Sequence, residues 1–559
     1  MINVSFISGG NMKTSNKKPL SIAIGVVILC VILAFYYYIT LPAINIHCTG
    51  FWYTFIFIGI AITVTIGIIR YKRGKMYEYS SSQQKKALKE ILRWLPVKIS
   101  FIITVCILLI YLIGSLLSST LINASKYEKL INIKDSDFSK DINEISYKDI
   151  PITDKDSAIL LGSRKMGNMA DLVSQFEVSE DYTQINYKGS PVRVTPLQYG
   201  NVIKWFNNRS EGIPAYMLID MATQNVECVR LDQKIRYSKS EHFGHNIYRY
   251  IRFKYPTYIF DELSFEIDEN GTPFWICPVK DYTIGLFGGE TISNVVIVNA
   301  CTGEHTDYAV KDVPTWVDHV YSAELLIDYY DYYGTLRHGY WNSVISQKDC
   351  LQTTDGYNYI ANNDDVWVYT GVTSVGQDES NVGFVLMNQR TAETLYYSIA
   401  GAEEYSAMSS AEGKVQHLQY KATFPLLLNI SGEPTYFIAL KDSAGLVKQY
   451  AMVNIAKYNI VAIGDSITTC EKSYRVLLKE NNLTNIDSSS ELSVTGKIKK
   501  IADVVVDGNT HYYILLENND NIFDITFSEQ LNIVKYNVGD TITFKYLEGN
   551  GYNVVQQIE

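Results

Sequence analysis

The segment 460–469 holds the residues most suggestive of catalysis. An apolar run leads into Gly464, Asp465 and Ser466, and two threonines follow at 468 and 469. A serine in such a turn can attack an ester only if a positioned base removes the proton of its hydroxyl. The 93 residues after Ser466 contain one histidine, His511. Any serine chemistry in this part of the chain therefore depends on that side chain or on an upstream histidine, such as His417.

This segment resembles the nucleophile block of the GDSL (SGNH) hydrolases. The resemblance implies an Asp-x-x-His pair, but Gly508 stands where that Asp would be, and the nearest string to the family's Gly-x-Asn-Asp block is Glu517-Asn-Asn-Asp520. The family's fold also needs an α/β sheet after the serine, where this sequence has the pattern of a β-barrel. We predict that Ser466 is a hydrogen-bonded turn residue and that the chain has no catalytic residue. An ester hydrolase using Ser466 is the alternative.

Two other groups could hold a ligand. His242 and His245 are three residues apart, but a catalytic zinc site needs a third protein ligand, so we predict a surface turn and no metal. The glycine-rich segment 285–290 lacks the following Lys-Ser/Thr of a phosphate-binding loop and is predicted to be a hairpin. No cofactor is expected.

Tyrosines with neighbouring acids form the predicted binding site. Tyrosine rings stack on sugars or peptides, while their hydroxyls and adjacent carboxylates form hydrogen bonds. The alternative is that these tyrosines fill the core of a thin α+β module. The predicted site residues are Tyr329, Tyr330, Tyr332, Tyr333, Tyr340 and Trp341.

A recurring turn pattern indicates how the middle of the chain is built. An apolar residue followed by Asp or Asn and a polar turn occurs at Asp220, Asn299, Asn388 and Asn454. The Asp or Asn oxygen of such a turn accepts hydrogen bonds from the backbone just after it, so each position predicts a strand end. Gly-x-Pro-x-aromatic turns occur at 212–216, 271–275 and 432–436, and each predicts a strand start.

Helix, strand, turn and strand in this order resemble the PepSY unit, a small α+β module of protease propeptides and envelope proteins. The segment 296–304 matches the unit most closely. The first copy is compressed, the third lacks the Gly-x-Pro turn and the fourth lacks the threonine. The resemblance implies a non-catalytic module that binds or inhibits envelope enzymes.

The last part of the chain has a different pattern. Five strand-like runs lie between residues 494 and 558, separated by Asp-, Asn- and Gly-rich turns. The longest connection separates the third and fourth runs. This pattern predicts a small barrel of OB type over 490–559.

The first 125 residues predict membrane spans. No Asp, Glu, Lys or Arg occurs in the 51 residues from Pro19 to Ile69, nor over 99–125. A bilayer core needs roughly 20 apolar helical residues. We predict three transmembrane helices, near Leu20–Thr40, Phe51–Ile69 and Ile99–Leu121. A signal peptide is the alternative for the first, but no small-residue cleavage site follows it.

Basic residues predict the orientation. Nine lysines and arginines lie between residues 70 and 98, three lie before the first span, and none lies in the 42–50 turn. The excess of positive charge on cytoplasmic segments makes 1–19 a cytoplasmic tail and 70–98 a cytoplasmic loop. Everything after the third span is then extracytoplasmic. Residues 1–120 carry a net charge of +10 and the remainder −20, which argues against a nucleic-acid partner.

The domain prediction follows from these patterns. It comprises the tail 1–19, the spans and loop 20–121, a polar stalk 122–156, an α+β repeat ectodomain 157–480 and the barrel 490–559. Met12 is expected to be the initiator, because residues 8–12 can be encoded by a bacterial ribosome-binding site followed by ATG. Cys277 and Cys301 are either one disulfide or two buried thiols.

The predicted fold class is thus a membrane-anchored α+β protein. Its predicted function is a membrane-tethered, extracytoplasmic binding or scaffolding protein of a bacterial cell envelope. The expected partners are the membrane and an envelope protein or cell-wall glycan. Besides the hydrolase, a sensor that signals through the basic loop 70–98 remains an alternative.

Overall fold

The computed structural model describes residues 31–74, 84–142, 150–362, 365–375, 380–481, 483, 492–506, 509–528, 530–547 and 552–558. The predicted tail 1–19, Met12 and residues 20–30 of the first span lie outside them. The chain forms two compact units. Unit one is Met1–Ser118, Arg236–Asp261 and Val279–Glu290, and unit two is Ser119–Ile235, Glu262–Pro278 and Thr291–Glu559.

The helices of the described residues divide into a membrane-type group before residue 119 and shorter helices among the strands. In chain order they are α1 (Val31–Thr40), α2 (Thr49–Arg73), α3 (Gln84–Arg93), α4 (Leu95–Ser118), α5 (Thr120–Tyr127), α6 (Phe138–Asp141), α7 (Lys155–Gly167), α8 (Val202–Asn208), α9 (Ile247–Lys254), α10 (Ala323–Leu336), α11 (Glu404–Lys414) and α12 (Ile467–Glu480).

Two helices of unit one are long and apolar enough to cross a membrane. They are α2, with 25 residues, and α4, with 24. Their polar side chains pair with each other, since the hydroxyls of Thr63 and Ser100 lie 2.7 Å apart and those of Tyr53 and Tyr111 2.8 Å apart. The second and third predicted spans are therefore helical. Of the first, the described part is the short helix α1, and the three-span topology stays a prediction.

Several loop segments of unit one are held together at one end of α2 and α4. The His47 ring nitrogen Nδ1 lies 2.8 Å from the carbonyl oxygen of Leu286. The Ser118 hydroxyl, at the end of α4, accepts from the backbone N–H of Leu286 at 2.8 Å. Arg252 of α9 donates to the carbonyl of Leu41 at 2.9 Å. The 41–48 connection and the end of α4 therefore lie on the same side of the helix pair.

Four antiparallel sheets follow in the chain, and β1 (Ile133–Asp135) joins the third of them. Sheet I consists of β2 (Phe176–Val178), β3 (Thr183–Tyr187), β4 (Ser190–Tyr199), β5 (Ile213–Asp220) and β6 (Val226–Ile235). Sheet II consists of β7 (Ile259–Phe260), β8 (Ser264–Ile267), β9 (Pro273–Ile284), β10 (Gly288–Asn299) and β11 (His305–Ala309). Sheet III consists of β12 (Leu351–Thr353), β13 (Asn358–Asn362), β14 (Asp365–Ser374), β15 (Ser380–Asn388), β16 (Thr394–Tyr397) and β17 (Gly401–Ala402). Sheet IV consists of β18 (Lys421–Ala422), β19 (Leu426–Ile430), β20 (Glu433–Lys441), β21 (Val447–Asn454) and β22 (Val461–Gly464).

The four sheets share one strand order. In each, the first two strands pair with the same edge of the third strand, which is β4, β9, β14 or β20. The fourth strand pairs with the other edge of the third, and the fifth pairs with the fourth. Sheet III adds β1, parallel to β16, and β17 beside β15. The third, fourth and fifth strands of each sheet form an antiparallel meander, because each of them pairs with the next in sequence.

The predicted Asp/Asn turns are confirmed as strand ends. Asp220, Asn299, Asn388 and Asn454 are the last residues of β5, β10, β15 and β21. The Asn299 side-chain oxygen accepts from the N–H groups two and three residues on, both at 2.9 Å, and Asp220 and Asn388 do the same. Asn454 accepts only from the third, at 2.8 Å. The fourth turn therefore has a different shape.

The Gly-x-Pro turns need one correction. Those at Gly271 and Gly432 open β9 and β20, the third strands of their sheets, with glycine φ values of +80° and +81°. The turn at Gly212 opens β5, a fourth strand. The equivalent in sheet I is Gly189-Ser190-Pro191, with a glycine φ of +77°. Gly212 matches the other two turns in sequence because Tyr216 follows it. The first copy of the repeat looked compressed because its true equivalent, Gly189, lies further upstream.

Carbonyl hydrogen bonds establish this equivalence. The residue after each Asp or Asn donates its N–H to the third strand. The acceptors are the carbonyl oxygens of Pro191 at 3.1 Å, Pro273 at 2.9 Å, Val366 at 3.1 Å and Pro434 at 3.3 Å. Proline suits this position because only its carbonyl is used, and its missing N–H is not needed.

The segment 122–156, predicted to be a stalk, packs instead into unit two where it is described. Residues 133–135 form β1, and Phe138, Ile142 and Ile150 are buried in the core shared by sheets III and IV. Its apolar residues are few and widely spaced among charges. The sequence pattern was therefore too weak to predict packing.

The C-terminal strands lie close to the predicted runs. They are β23 (Leu492–Val506), β24 (Asn509–Leu516), β25 (Asn519–Thr526), β26 (Thr541–Leu547) and β27 (Asn553–Ile558). They pair in the ring order β23-β24-β25-β27-β26, and β26 returns to β23. The link between β25 and β27 is parallel and has only two residue pairs. The core of this ring includes Ile514, Phe523 and Phe544. The OB-type assignment stays a prediction.

The described cysteines are free thiols. Cys277 and Cys301 are both buried and unbridged. The Cys301 thiol lies 2.9 Å from the carbonyl of Gln233, and burial raises its pKa to about 11. Cys277 and Cys301 are therefore two buried thiols and not a disulfide.

Candidate functional site

The predicted aromatic site divides into a buried and an exposed part. Tyr329 and Tyr330 lie on α10 and are 3% and 1% exposed. They pack in the core beside sheet III, because α10 is amphipathic and turns these two rings inward. Both are core residues, so the prediction that they belong to a surface binding platform is wrong. Tyr332 and Tyr333 are half-buried, and the Tyr332 ring packs on Tyr127 of α5 at 4.8 Å.

The other two aromatic residues lie after α10. Trp341 is 67% exposed, and its ring contacts that of Tyr340 edge-on at 5.6 Å. Val344 and Ile345 are exposed beside them in the same short turn, at 55% and 74%. Three neighbouring exposed apolar residues, with the half-buried Tyr340 beside them, are unusual on a surface exposed only to water. This turn is the surviving part of the predicted aromatic site.

Ser466 caps a helix. It follows β22 and is the N-cap of α12. Its hydroxyl accepts from the Thr469 N–H at 3.2 Å, and its N–H donates to the Thr469 hydroxyl at 3.1 Å. A Cβ on Gly464 would lie 2.3 Å from the backbone nitrogen of Cys470, so the helix can approach the strand only at a glycine. The Gly-Asp-Ser sequence is thus explained by helix packing and capping.

Nevertheless, Ser466 lines a small cleft with a histidine. The cleft has a volume of about 50 Å³, and its walls include Asp465, Ser466, His511, Tyr513 and Asp524. The His511 ring nitrogen Nδ1 lies 2.9 Å from an Asp524 carboxylate oxygen. Sequence reasoning missed this carboxylate because it follows the histidine and comes from the next strand of the barrel.

The three side chains do not form a connected triad. No hydrogen bond joins the Ser466 hydroxyl to His511 among the described residues, and that hydroxyl is already engaged by Thr469. The pairing of Nδ1 with Asp524 leaves Nε2 as the nitrogen that a ligand or a rotated serine could reach. A serine nucleophile needs a base within about 3 Å. In this geometry Asp524 orients the His511 ring, but the Ser466 hydroxyl is not oriented towards that ring.

His242 precedes the short turn Phe243–His245, and His245 is the last residue of that turn. Within the described ranges, no group of three or more His, Cys, Asp or Glu side chains could hold a metal ion. The glycine-rich segment 285–290 connects β9 and β10 as a hairpin, as predicted.

A larger cavity lies elsewhere in unit two, around Arg193 of β4. Its volume is about 180 Å³, and residues 151–154 and parts of sheets I, III and IV line it. Arg193 is 7% exposed. Its Nε donates to the carbonyl of Thr153 at 3.1 Å, and its Nη2 donates to Oε1 of Gln184 at 3.2 Å. Both acceptors are uncharged, and the described residues offer no hydrogen-bond acceptor to Nη1.

The charges around this cavity do not balance. Among the described residues, the other charged side chain of the lining is Asp154, which accepts from the Lys441 ammonium at 2.5 Å and from the N–H of Ser157 in the cap of α7. Asp154 and Asp156 attract the Arg193 charge, but no carboxylate of the described residues forms an ion pair with it, and Lys441 pairs with Asp154. Burial lowers the pKa of Arg193. An arginine nevertheless stays protonated at physiological pH, so a buried positive charge faces the cavity.

The remaining walls are apolar or aromatic. Phe424, Leu426, Phe437 and Ala439 of the sheet IV region form one side. Tyr359 lines the other side, and burial raises the pKa of its hydroxyl to about 12, so it remains neutral, with a hydrogen bond to the Tyr357 hydroxyl. The one sequence signal for this site was an arginine inside an otherwise apolar strand pattern, Val192 to Val194.

Comparisons with known proteins identify no relative. No family model matches the chain, and no curated protein matches it. Among solved structures, it aligns with two mutants of the Synechocystis apocarotenoid oxygenase at 8% identity and TM-scores of 0.14 and 0.15. These alignments cover 63% and 70% of this chain, and 58% and 66% of theirs.

A third solved structure is the Trypanosoma rangeli sialidase, at 10% identity and a TM-score of 0.13, with 68% of this chain and 54% of that chain covered. The chain thus spans less than two thirds of the length of each of these structures. At such TM-scores they carry no argument about fold or activity.

Proposed function

We propose that this protein is a membrane-tethered, extracytoplasmic binding and scaffolding protein of a bacterial cell envelope. Two long apolar helices support the tether. The nine basic residues between 70 and 98 support a cytoplasmic loop and, with it, an extracytoplasmic unit two. The contacts of His47 and Ser118 with Leu286 support a shared side for the 41–48 connection and the end of α4.

The four sheets are proposed to be copies of one module. Their strand order is the same, and three of the four Asp/Asn turns share their hydrogen bonds. Gln224, Gly303 and Ala392 occupy the same turn position with φ values of +59°, +77° and +59°. A PepSY-like module would bind or inhibit an envelope enzyme. The exposed turn of Tyr340 and Trp341 is the proposed contact for an envelope protein or a cell-wall glycan.

The observation that carries a binding function is the cavity at Arg193. Isolated buried charges are rare, because removing an ion from water costs several kcal/mol unless a partner compensates it. Three modules contribute to the walls of this cavity. A ligand that supplies the missing charge would therefore be bound by the tandem arrangement and by no single module.

Topology can be tested with reporter fusions. A fusion after Ser125 should be exposed outside the cell, and a fusion between Arg73 and Lys85 should be inside. A C-terminus protected from protease in intact spheroplasts would overturn the extracytoplasmic location.

Binding can be tested with the full-length protein in nanodiscs. A low-molecular-weight extract of the cell envelope should raise its unfolding temperature. The increase should disappear when Ala439→Leu fills the cavity. The matched control is Tyr458→Leu, at an exposed residue outside the cavity. An unchanged response in the Ala439 variant would refute the cavity as the binding site.

A Ser466 esterase is the second candidate, supported by the His511–Asp524 pair in the same cleft. Two variants separate catalysis from capping. Ser466→Ala removes both the hydroxyl and the cap, whereas Ser466→Asn retains an N-cap without a nucleophile. Background hydrolysis of a chromogenic short-chain ester by the wild-type protein and both variants is the expected result. Turnover by the wild type that both variants lose would establish the esterase.

A further inference from the structure

We infer that the cavity at Arg193 binds a small monocarboxylate with an apolar body, of about the size of benzoate. This inference rests on the proposed binding function and specifies its ligand. The ligand class follows from the charge, the volume and the walls of the cavity.

The charge of the site calls for a single negative charge. Arg193 contributes one positive charge without a counter-ion, and Lys441 already neutralises Asp154. A carboxylate would compensate that charge completely. A phosphate dianion would leave one excess negative charge in a buried site, with too few donors to stabilise it.

The available donors also suit a carboxylate. Arg193 Nη1 is the guanidinium nitrogen without an acceptor, and Arg193 lines the cavity. Tyr359 offers a neutral hydroxyl from sheet III on the other wall. A planar guanidinium and one hydroxyl can together satisfy the two oxygens of one carboxylate.

The volume and walls determine the rest of the ligand. An engineered apolar cavity of about 150 Å³ in another protein holds benzene. The cavity here has about 180 Å³, which leaves room for a ring of that size and a carboxylate. Phe424, Leu426 and Phe437 would contact the apolar body. A sugar acid would leave several hydroxyls without partners against these side chains.

The test is calorimetric titration of the full-length protein in nanodiscs at pH 7. Sodium benzoate is the probe, and benzyl alcohol, acetate and inorganic phosphate are the comparison ligands. Benzoate should bind at least tenfold more tightly than each of the others. Arg193→Gln should weaken benzoate at least tenfold, whereas Arg230→Gln, at an exposed arginine of β6, should leave it unchanged. Ala439→Leu, which keeps the charge and removes the space, should abolish benzoate binding.

Equal binding of benzyl alcohol and benzoate would overturn the role of the Arg193 charge, and equal binding of phosphate would overturn the carboxylate class. If Arg193→Gln does not fold, the titration of Ala439→Leu decides. Benzoate that still binds to this variant must bind outside the cavity, which would overturn the proposal. If the envelope extract stabilises the protein but benzoate does not bind, the ligand class is wrong and the binding function stands. If neither has an effect, both proposals fail.

Discussion

The cleft at Ser466 and the cavity at Arg193 differ in the residues that line them and in whether a sequence motif marks them. The cleft holds a serine, a histidine and a carboxylate, the residue types of a hydrolase, yet the serine is bound within its own helix cap. The cavity holds an arginine that no motif marks, yet its charge has no counter-ion. Residue types that suggest catalysis are therefore poor indicators of a functional site. A buried donor or charge without a partner is a better indicator.

The same contrast concerns stability. A satisfied polar cluster stabilises the fold, because each donor and acceptor has lost its water to an internal partner. A buried charge without a counter-ion weakens the fold until a ligand arrives. If the contrast is real, substitutions in satisfied clusters should destabilise the protein, whereas those at uncompensated charges should be tolerated and should change its response to pH or ligand.

Asp331 gives the largest expected difference, because its half-buried carboxylate forms no ion pair with a cation of the described residues. Burial raises its pKa to about 6, although the N–H of Thr353 donates to it at 2.7 Å. Above its unfolded pKa, near 4, the unfolded state ionises more readily than the folded state. The unfolding free energy of the wild type, relative to that of Asp331→Asn, should therefore fall by about 2–3 kcal/mol between pH 4 and 7.

The measurement is denaturant unfolding of both proteins across that pH range. Asparagine retains the oxygen that Thr353 contacts, so the comparison isolates the charge. Parallel curves would show that Asp331 titrates normally and would weaken the argument from buried charge.

Asp154 comes next, as the neutralised charge beside Arg193. Asp154→Ala removes the cap of α7 and the partner of Lys441, and should cost about 2 kcal/mol of unfolding free energy. Asp154→Asn keeps the cap and should cost about half as much. Thermal unfolding of the two variants measures this difference. Equal losses would mean that the cap of α7 contributes nothing, and an Asp154→Asn protein as stable as the wild type would mean that the ion pair with Lys441 contributes nothing.

The smallest effect is expected at the cleft. Ser466→Ala should lower the unfolding free energy by about 1 kcal/mol through loss of the N-cap, and Ser466→Asn should lower it by much less. Chemical denaturation can resolve this difference. A Ser466→Ala protein as stable as the wild type would mean that helix capping does not explain the serine at this position.

Sequence patterns predicted the elements whose determinants are local. The Asp/Asn turns at 220, 299, 388 and 454 were predictable because the side chain bonds its own backbone. The barrel strands and the α2 and α4 helices follow from alternation or from long apolar runs.

What the sequence could not supply depends on distant contacts. Asp524 comes next to His511 only because β24 pairs with β25, and Arg193 loses its water only because three sheets meet around it. The burial of Tyr329 and Tyr330 was open for the same reason, since a tyrosine pair with acids suits a core and a surface equally.

The free thiols have a chemical consequence under the proposed extracytoplasmic location. A thiol reacts with oxidants as the thiolate, and at pH 7 a pKa of about 11 leaves roughly one Cys301 side chain in ten thousand ionised. Burial raises the pKa of Cys470 as well. Cys301 and Cys470 should thus oxidise slowly in air while the protein is folded.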